Sequence, residues 1–305
     1  METERFFNKE ERCKTAFEKG APYYHLCTPE NHQVLFHLRE DYRQCMSTIG
    51  LCIKLFPDIS ILTFQIMTNH IHLVLSGNKE RIEGFFTELM KVLKKYYSKT
   101  GRQSYIEGMN PKIIPINDLE NLRNVIAYVN RNGYVVLNSE TPFSYEWGAN
   151  RYYFGREAKQ RYIQCRKSVK FRFKRIITSS RKFDDIKGLY MLDDYICPAS
   201  FCGIEEGEAM FRDAHNYFFK ISKNIEIYRD IASLIGEQLY YSDDDLFSMI
   251  CKISAERYKV NSPSQLSKND KLELAKRMHY DYNAGNKQIA RMLKIDLSIL
   301  SSMFA

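Results

Sequence analysis

Residues 59–77 read ISILTFQIMTNHIHLVLSG. The run is too apolar for one exposed strand, and Thr68-Asn69 favours a turn, so it reads as two strands joined at Met67 to Asn69, the second being His70 to Leu75. Side chains alternate faces along a strand, which sends His70 and His72 one way and Ile71, Leu73 and Leu75 the other. Upstream, YYHLCTP (Tyr23 to Pro29) reads as a strand, and Leu38 to Leu51 as a helix. Downstream, Glu80 to Ser98 places Ile82, Phe85, Phe86, Leu89, Met90, Leu93 and Tyr97 at helical spacing. Lys112 to Ile116 is a short strand, and Asn117 or Asp118 can cap a helix through about Val129. The order β-α-β-β-α-β-α predicts an α+β fold with a ferredoxin-like antiparallel sheet, helices on one face and the other face free to carry a site.

The chain has 305 residues, 44% of them hydrophobic and 27% charged, enough for more than one globular domain. No run approaches the roughly 20 apolar residues of a membrane span, and the charged start lacks a leader pattern. The eight cysteines are scattered without a CxxC pair, and Cys197 and Cys202 read as buried thiols. Reduced thiols in a chain of this kind predict a cytoplasmic protein with no membrane partner. The net charge of +8 concentrates in residues 156–182, where eleven Lys/Arg face one acid. There Arg166, Lys167, Lys170, Arg172, Lys174 and Arg175 alternate with Tyr162, Phe171 and Phe173, a pattern that neutralises phosphates and stacks on unpaired bases. Lys91, Lys94 and Lys95 extend the basic surface, with Lys99 beyond them.

Two imidazoles on one strand face suit a divalent metal. Near the end of the predicted third helix, Tyr128 and Asn132 are i,i+4 and share a face, which puts a phenol beside an amide oxygen. A metal on a phosphate would make attack by that phenol feasible, with Asn132 as a third ligand. Mg²⁺ or Mn²⁺ fits mixed nitrogen and oxygen donors with open positions. No GxxxxGK[ST] motif is present, and a histidine-triad hydrolase would need a third histidine where Val74 stands.

In YYHLCTP, MTNHIHLVL, AYVNRNGYV and FSYEWGANRYYF, residues 20–153 resemble the HUH single-tyrosine transposases, especially their REP-associated tyrosine transposase branch. The resemblance implies a single-stranded DNA endonuclease and strand transferase forming a 5′-phosphotyrosine and a free 3′-OH. It places His70 and His72 on the metal-ligating histidines, Tyr128 on the nucleophile and Asn132 on the third ligand. Relatives carry proline at the positions of Thr68 and Gly133, departures that read as turn substitutions. Tyr134 is the alternative nucleophile if the helix register is shifted. The implied partner is single-stranded DNA, in hairpin-forming repeats, with a homodimer among the expected assemblies.

From Glu205 onward the chain reads as helical near 206–222, 224–239, 244–258, 267–282, 286–293 and 296–304. NKQIARML (Asn286 to Leu293) and the helix before it resemble the trihelical domain that ends the bacterial replication initiator, a helix-turn-helix. The expected organisation is a catalytic domain over 1–153, a basic connector over 154–204 and a helical domain over 205–305. The alternative to an enzyme is a non-catalytic nucleic-acid-binding regulator on the same scaffold.

Overall fold

The computed structural model describes residues 2–29, 34–137, 144–223, 231, 241, 243–260 and 262–304. Helix α1 (Glu2–Gly20) leads into strand β1 (Tyr23–Cys27), helix α2 (Arg39–Ile53), strands β2 (Ser60–Ile66) and β3 (Ile71–Ser76), helix α3 (Lys79–Lys99), strand β4 (Lys112–Ile116) and helix α4 (Leu119–Leu137). The fold is α+β, and its four-stranded antiparallel sheet has the order β2-β3-β1-β4. The turn between β2 and β3 falls where Thr68-Asn69 predicts it, closed by the Met67 amide donating to the His70 carbonyl at 2.9 Å. Helix α1 is not among the predicted elements. A tertiary contact holds it: Arg123 of α4, 5% exposed, pairs with Glu10 at 2.8 Å.

Register sorts the two faces of the sheet. His72 stands opposite Cys27 on one side and Gln65 on the other, and cross-strand partners share a face. Leu26, Phe64, Leu73 and Leu75 occupy the opposite face and are fully buried, which contributes about 1.5–3 kcal/mol per side chain. Helices α2 and α3 pack on each other, and α2 on β2. A Cβ on Gly50 of α2 would meet Phe201 at 2.8 Å, and the Phe201 ring centroid lies 5.5 Å from that of Phe64. Helix α2 therefore covers the apolar face.

The expectation of helices on one face alone is corrected by α4, which crosses the histidine face. Asn130 contacts Thr63 there, while Tyr128 and Asn132 contact His72. Its own apolar residues Leu122, Val125, Ile126 and Val129 are buried and demand a surface to pack on. Asp118 starts the helix as predicted, accepting the Asn121 amide at 2.8 Å. The helix continues past Val129 through Gly133, so Asn132 and Gly133 lie within it and not at its end.

Two compact units divide the chain, Met1–Tyr134 with Ser139–Ile221, and Val135–Asn138 with Ser222–Ala305. The segment expected as a connector, 154–204, is folded into the first unit. Helix α5 (Arg156–Cys165), strand β5 (Lys167–Ser168), helix α6 (Phe171–Thr178) and strands β6 (Tyr190–Leu192) and β7 (Tyr195–Ile196) form it, with a second small antiparallel sheet β5-β6-β7. α6 packs on α2 and α3, and β7 on α2. Charge counting hid the buried side made by Ile177, Phe183, Leu189, Leu192 and Ile196. The helix expected over 206–222 breaks into α7 (Ile204–Glu208) and α8 (Ala214–Lys223).

The second unit contains α9 (Asp243–Arg257), α10 (Lys268–Tyr280), α11 (Asn286–Leu293) and α12 (Leu297–Met303), close to four of the predicted helices. The one expected over 224–239 lies outside the described residues, apart from Ile231. Buried Leu274, Met278, Ile289, Leu293 and Leu300 form its core. Among the described residues no helix is long and apolar enough to cross a membrane.

Candidate functional site

Strand alternation points His70 and His72 toward α4, where helical spacing returns Tyr128 and Asn132 to the same side one turn apart. The Nε2 atoms of His70 and His72 are 3.0 Å apart, and the Asn132 Nδ2 lies 3.4 Å from His72 Nε2. The Tyr128 ring meets His72 edge-on at 5.7 Å between centroids. All four residues singled out in the sequence thus gather at one place. His72, Tyr128 and His70 are buried, at 0%, 1% and 7% exposure. The side chain of Tyr134, the alternative nucleophile, is outside the described residues.

Three residues not singled out in the sequence complete the surroundings. His25 of β1 lies with Nε2 3.2 Å from His72 Nδ1, and its ring is 6.3 Å from that of Tyr128. Asn69 Oδ1 is 2.7 Å from His70 Nδ1. Gln65 is the cross-strand partner of His72. Alternation within YYHLC already puts His25 and Cys27 on one face; pairing β1 with β3 makes that face the histidine face, and pairing is non-local.

Each Nδ1 therefore has a partner that can accept its N–H. With the His70 Nδ1–H donating to Asn69 Oδ1 and the His72 Nδ1–H donating to His25 Nε2, the two Nε2 atoms face each other as acceptors, an arrangement that suits a cation between them. Octahedral ligands at about 2.1 Å from one cation are separated by about 3.0 Å. The imidazole pair has this spacing, and rotating the Asn132 amide by half a turn presents its oxygen in place of its nitrogen. The donors fit a divalent cation. Among the described residues no group of three or more His, Cys, Asp or Glu could hold a metal.

The expected phosphate contacts divide. Lys91, Lys94 and Lys95 are exposed on α3, which covers the opposite sheet face from the histidines under the right-handed crossover rule. Lys167, Lys170 and Arg172 are exposed, as is Arg166, whose guanidinium lies 4.9 Å above the Tyr190 ring. Arg175 chelates Asp184, with Nε 3.0 Å from both oxygens. Lys174 is corrected: it is 4% exposed, and its ammonium donates to the carbonyls of Asp184 at 2.7 Å and Ile186 at 2.5 Å. It pins a turn and cannot meet a phosphate. A cleft of about 600 Å³ at the start of α5 is lined in part by Arg151, Phe154, Arg156 and Arg161.

Four of the thiols are held in the packing. Burial pushes Cys45, Cys52, Cys197 and Cys202 upward, away from the reactive thiolate, and Cys202 Sγ donates to the Ile61 and Leu62 carbonyls at 3.1 Å each. No family model matches the chain, and neither a curated protein nor a solved structure is significantly similar to it.

Proposed function

We propose that the chain is a metal-dependent nuclease and strand transferase for single-stranded DNA. The observation that carries the reading is the meeting of His70, His72, Asn132 and Tyr128 from a β-hairpin and a distant helix. The strand order β2-β3-β1-β4 with helical crossovers supports the ferredoxin-like arrangement of the HUH endonucleases. His70, His72 and Asn132 would hold Mg²⁺ or Mn²⁺, which when bound supplies polarisation of a non-bridging phosphate oxygen. Tyr128 Oη would bond phosphorus while the bond to O3′ breaks, and the phenolic proton ends on the departing oxygen. The phosphotyrosine keeps the diester energy, so the free 3′-OH can reverse the step on another end. Exposed Lys167, Lys170 and Arg172 and the arginine-lined cleft would track the backbone.

In the second unit, α11 and α12 are separated by three residues, of which Lys294 at φ +53° makes the tight turn. That supports a helix-turn-helix for duplex or hairpin stems. The second reading is a binding regulator without chemistry. The burial of Tyr128, at 1% exposure, favours it, since substrate has to reach the phenol.

The deciding experiment incubates the full chain with hairpin-bearing single-stranded oligonucleotides and Mg²⁺ or Mn²⁺. A covalent protein–DNA adduct, lost in Tyr128→Phe while binding persists, supports the transferase. Binding without adduct under either ion establishes the regulator.

A further inference from the structure

Gln65 sits in β2, on the histidine face, directly across from His72. It is 0% exposed, and neither Nε2 nor Oε1 has a hydrogen-bond partner. A primary amide has two donors and an acceptor of two lone pairs, and burial with none of them used is costly. Two glycines make room for it: a Cβ on Gly133 would fall 1.8 Å from Nε2, and one on Gly148 would fall 2.5 Å from Oε1. The chain thus gives up a helix former at Gly133, one residue past Asn132, to keep an amide that bonds to nothing in the protein. Leucine would fill a similar volume without the polar cost. This orphan amide belongs to the residue across from His72 and packs against the α4 segment that carries Asn132, so a partner for it would have to come from outside the protein.

We propose that the side-chain amide of Gln65 is a fourth protein donor, through its oxygen, to the cation held by His70, His72 and Asn132. The inference rests on the metal site of the proposed function and not on the strand-transfer chemistry. Amide oxygens are ordinary ligands of hard divalent cations. With neither amide atom engaged, a flip that exchanges Oε1 and Nε2 breaks no hydrogen bond and puts the oxygen beside Gly133, on the Asn132 side. Gly133 then has a purpose beyond a turn. It lets α4 approach β2 closely enough for the Gln65 and Asn132 amides to face one centre, and a proline or alanine there would displace one of them.

The test titrates Mn²⁺ alone into the full chain by calorimetry, with circular dichroism to confirm folding. Gln65→Leu is expected to weaken Mn²⁺ binding at least tenfold while raising the melting temperature of the metal-free protein. Gln65→Glu is expected to bind Mn²⁺ tighter, because a carboxylate replaces the amide oxygen. Affinities within twofold of the parent in both variants overturn the proposal, as does a parent chain that binds no Mn²⁺. Should Gln65→Leu fail to fold, Gln65→Glu alone decides by the same criterion. Mn²⁺ binding that follows these expectations while Tyr128 forms no DNA adduct sinks the transferase reading and leaves the role of Gln65 supported.

Discussion

His72 is held from both ends of its imidazole: Nε2 faces His70 Nε2 at 3.0 Å, and Nδ1 faces His25 Nε2 at 3.2 Å. The first contact belongs to the proposed cation site; the second offers His72 Nδ1 a partner that can hold its orientation. A ligand histidine whose other nitrogen is engaged holds one tautomer and one orientation. Replacing His25 by Phe keeps the ring volume and removes the acceptor. Mn²⁺ affinity should fall about 10–100-fold, the usual cost of losing such a partner. His72→Ala should abolish binding. Calorimetric titration of both variants checks this, and an unchanged His25→Phe would show that His72 needs no outside orientation.

Gly133→Ala should destabilise the first unit although alanine is the better helix former by about 1 kcal/mol. The new Cβ would lie 2.4 Å from the Tyr145 ring and closer still to Gln65. Overpacking of this kind costs about 1–3 kcal/mol. Urea denaturation of Gly133→Ala, Gln65→Ala and the double variant forms a cycle, and the double variant should recover part of the loss.

Asp41 joins the start of α2 to the end of α3. Burial alone would raise its pKa, but Arg102, Tyr96 and the Leu38 and His37 amides all donate to it and bring it down to about 2 from an ordinary 3.8. A depressed carboxylate stabilises the fold above its unfolded pKa and loses that contribution as pH falls through the folded value, here from about 4 to about 2. A shift of this size corresponds to about 2–3 kcal/mol. Asp41→Asn should therefore lower the urea midpoint at pH 6, and the gap from the parent should close as the pH falls to 2. A gap that stays constant with pH would contradict the assignment.

Lys174 and its neighbours should separate in a salt titration of single-stranded DNA binding. Lys170→Ala or Arg172→Ala should each reduce the slope of log K against log salt by about 0.7, one phosphate contact on a single strand. Lys174→Met should leave that slope alone and cost about 1 kcal/mol of stability, because two part-buried carbonyls lose their donor. Fluorescence anisotropy at several salt concentrations, beside thermal melts, reads both.

Turn propensity at Thr68-Asn69 was enough to locate the β2–β3 turn, and local periodicity to find the shared face of His70 and His72 and the shared side of Tyr128 and Asn132. The latter two are consequences of a two-residue repeat along a strand and of a turn of helix, which each segment carries within itself. Tyr128 and Asn132 stand beside the two histidines because α4 crosses the face that periodicity could only describe as unassigned. His25 and Gln65 become neighbours of His72 through the pairing of β3 with β1 and β2, and strand pairing between segments far apart in the chain leaves no local mark. Lys174 looked like its basic neighbours until packing buried it, since charge is a property of the residue and accessibility a property of everything folded around it.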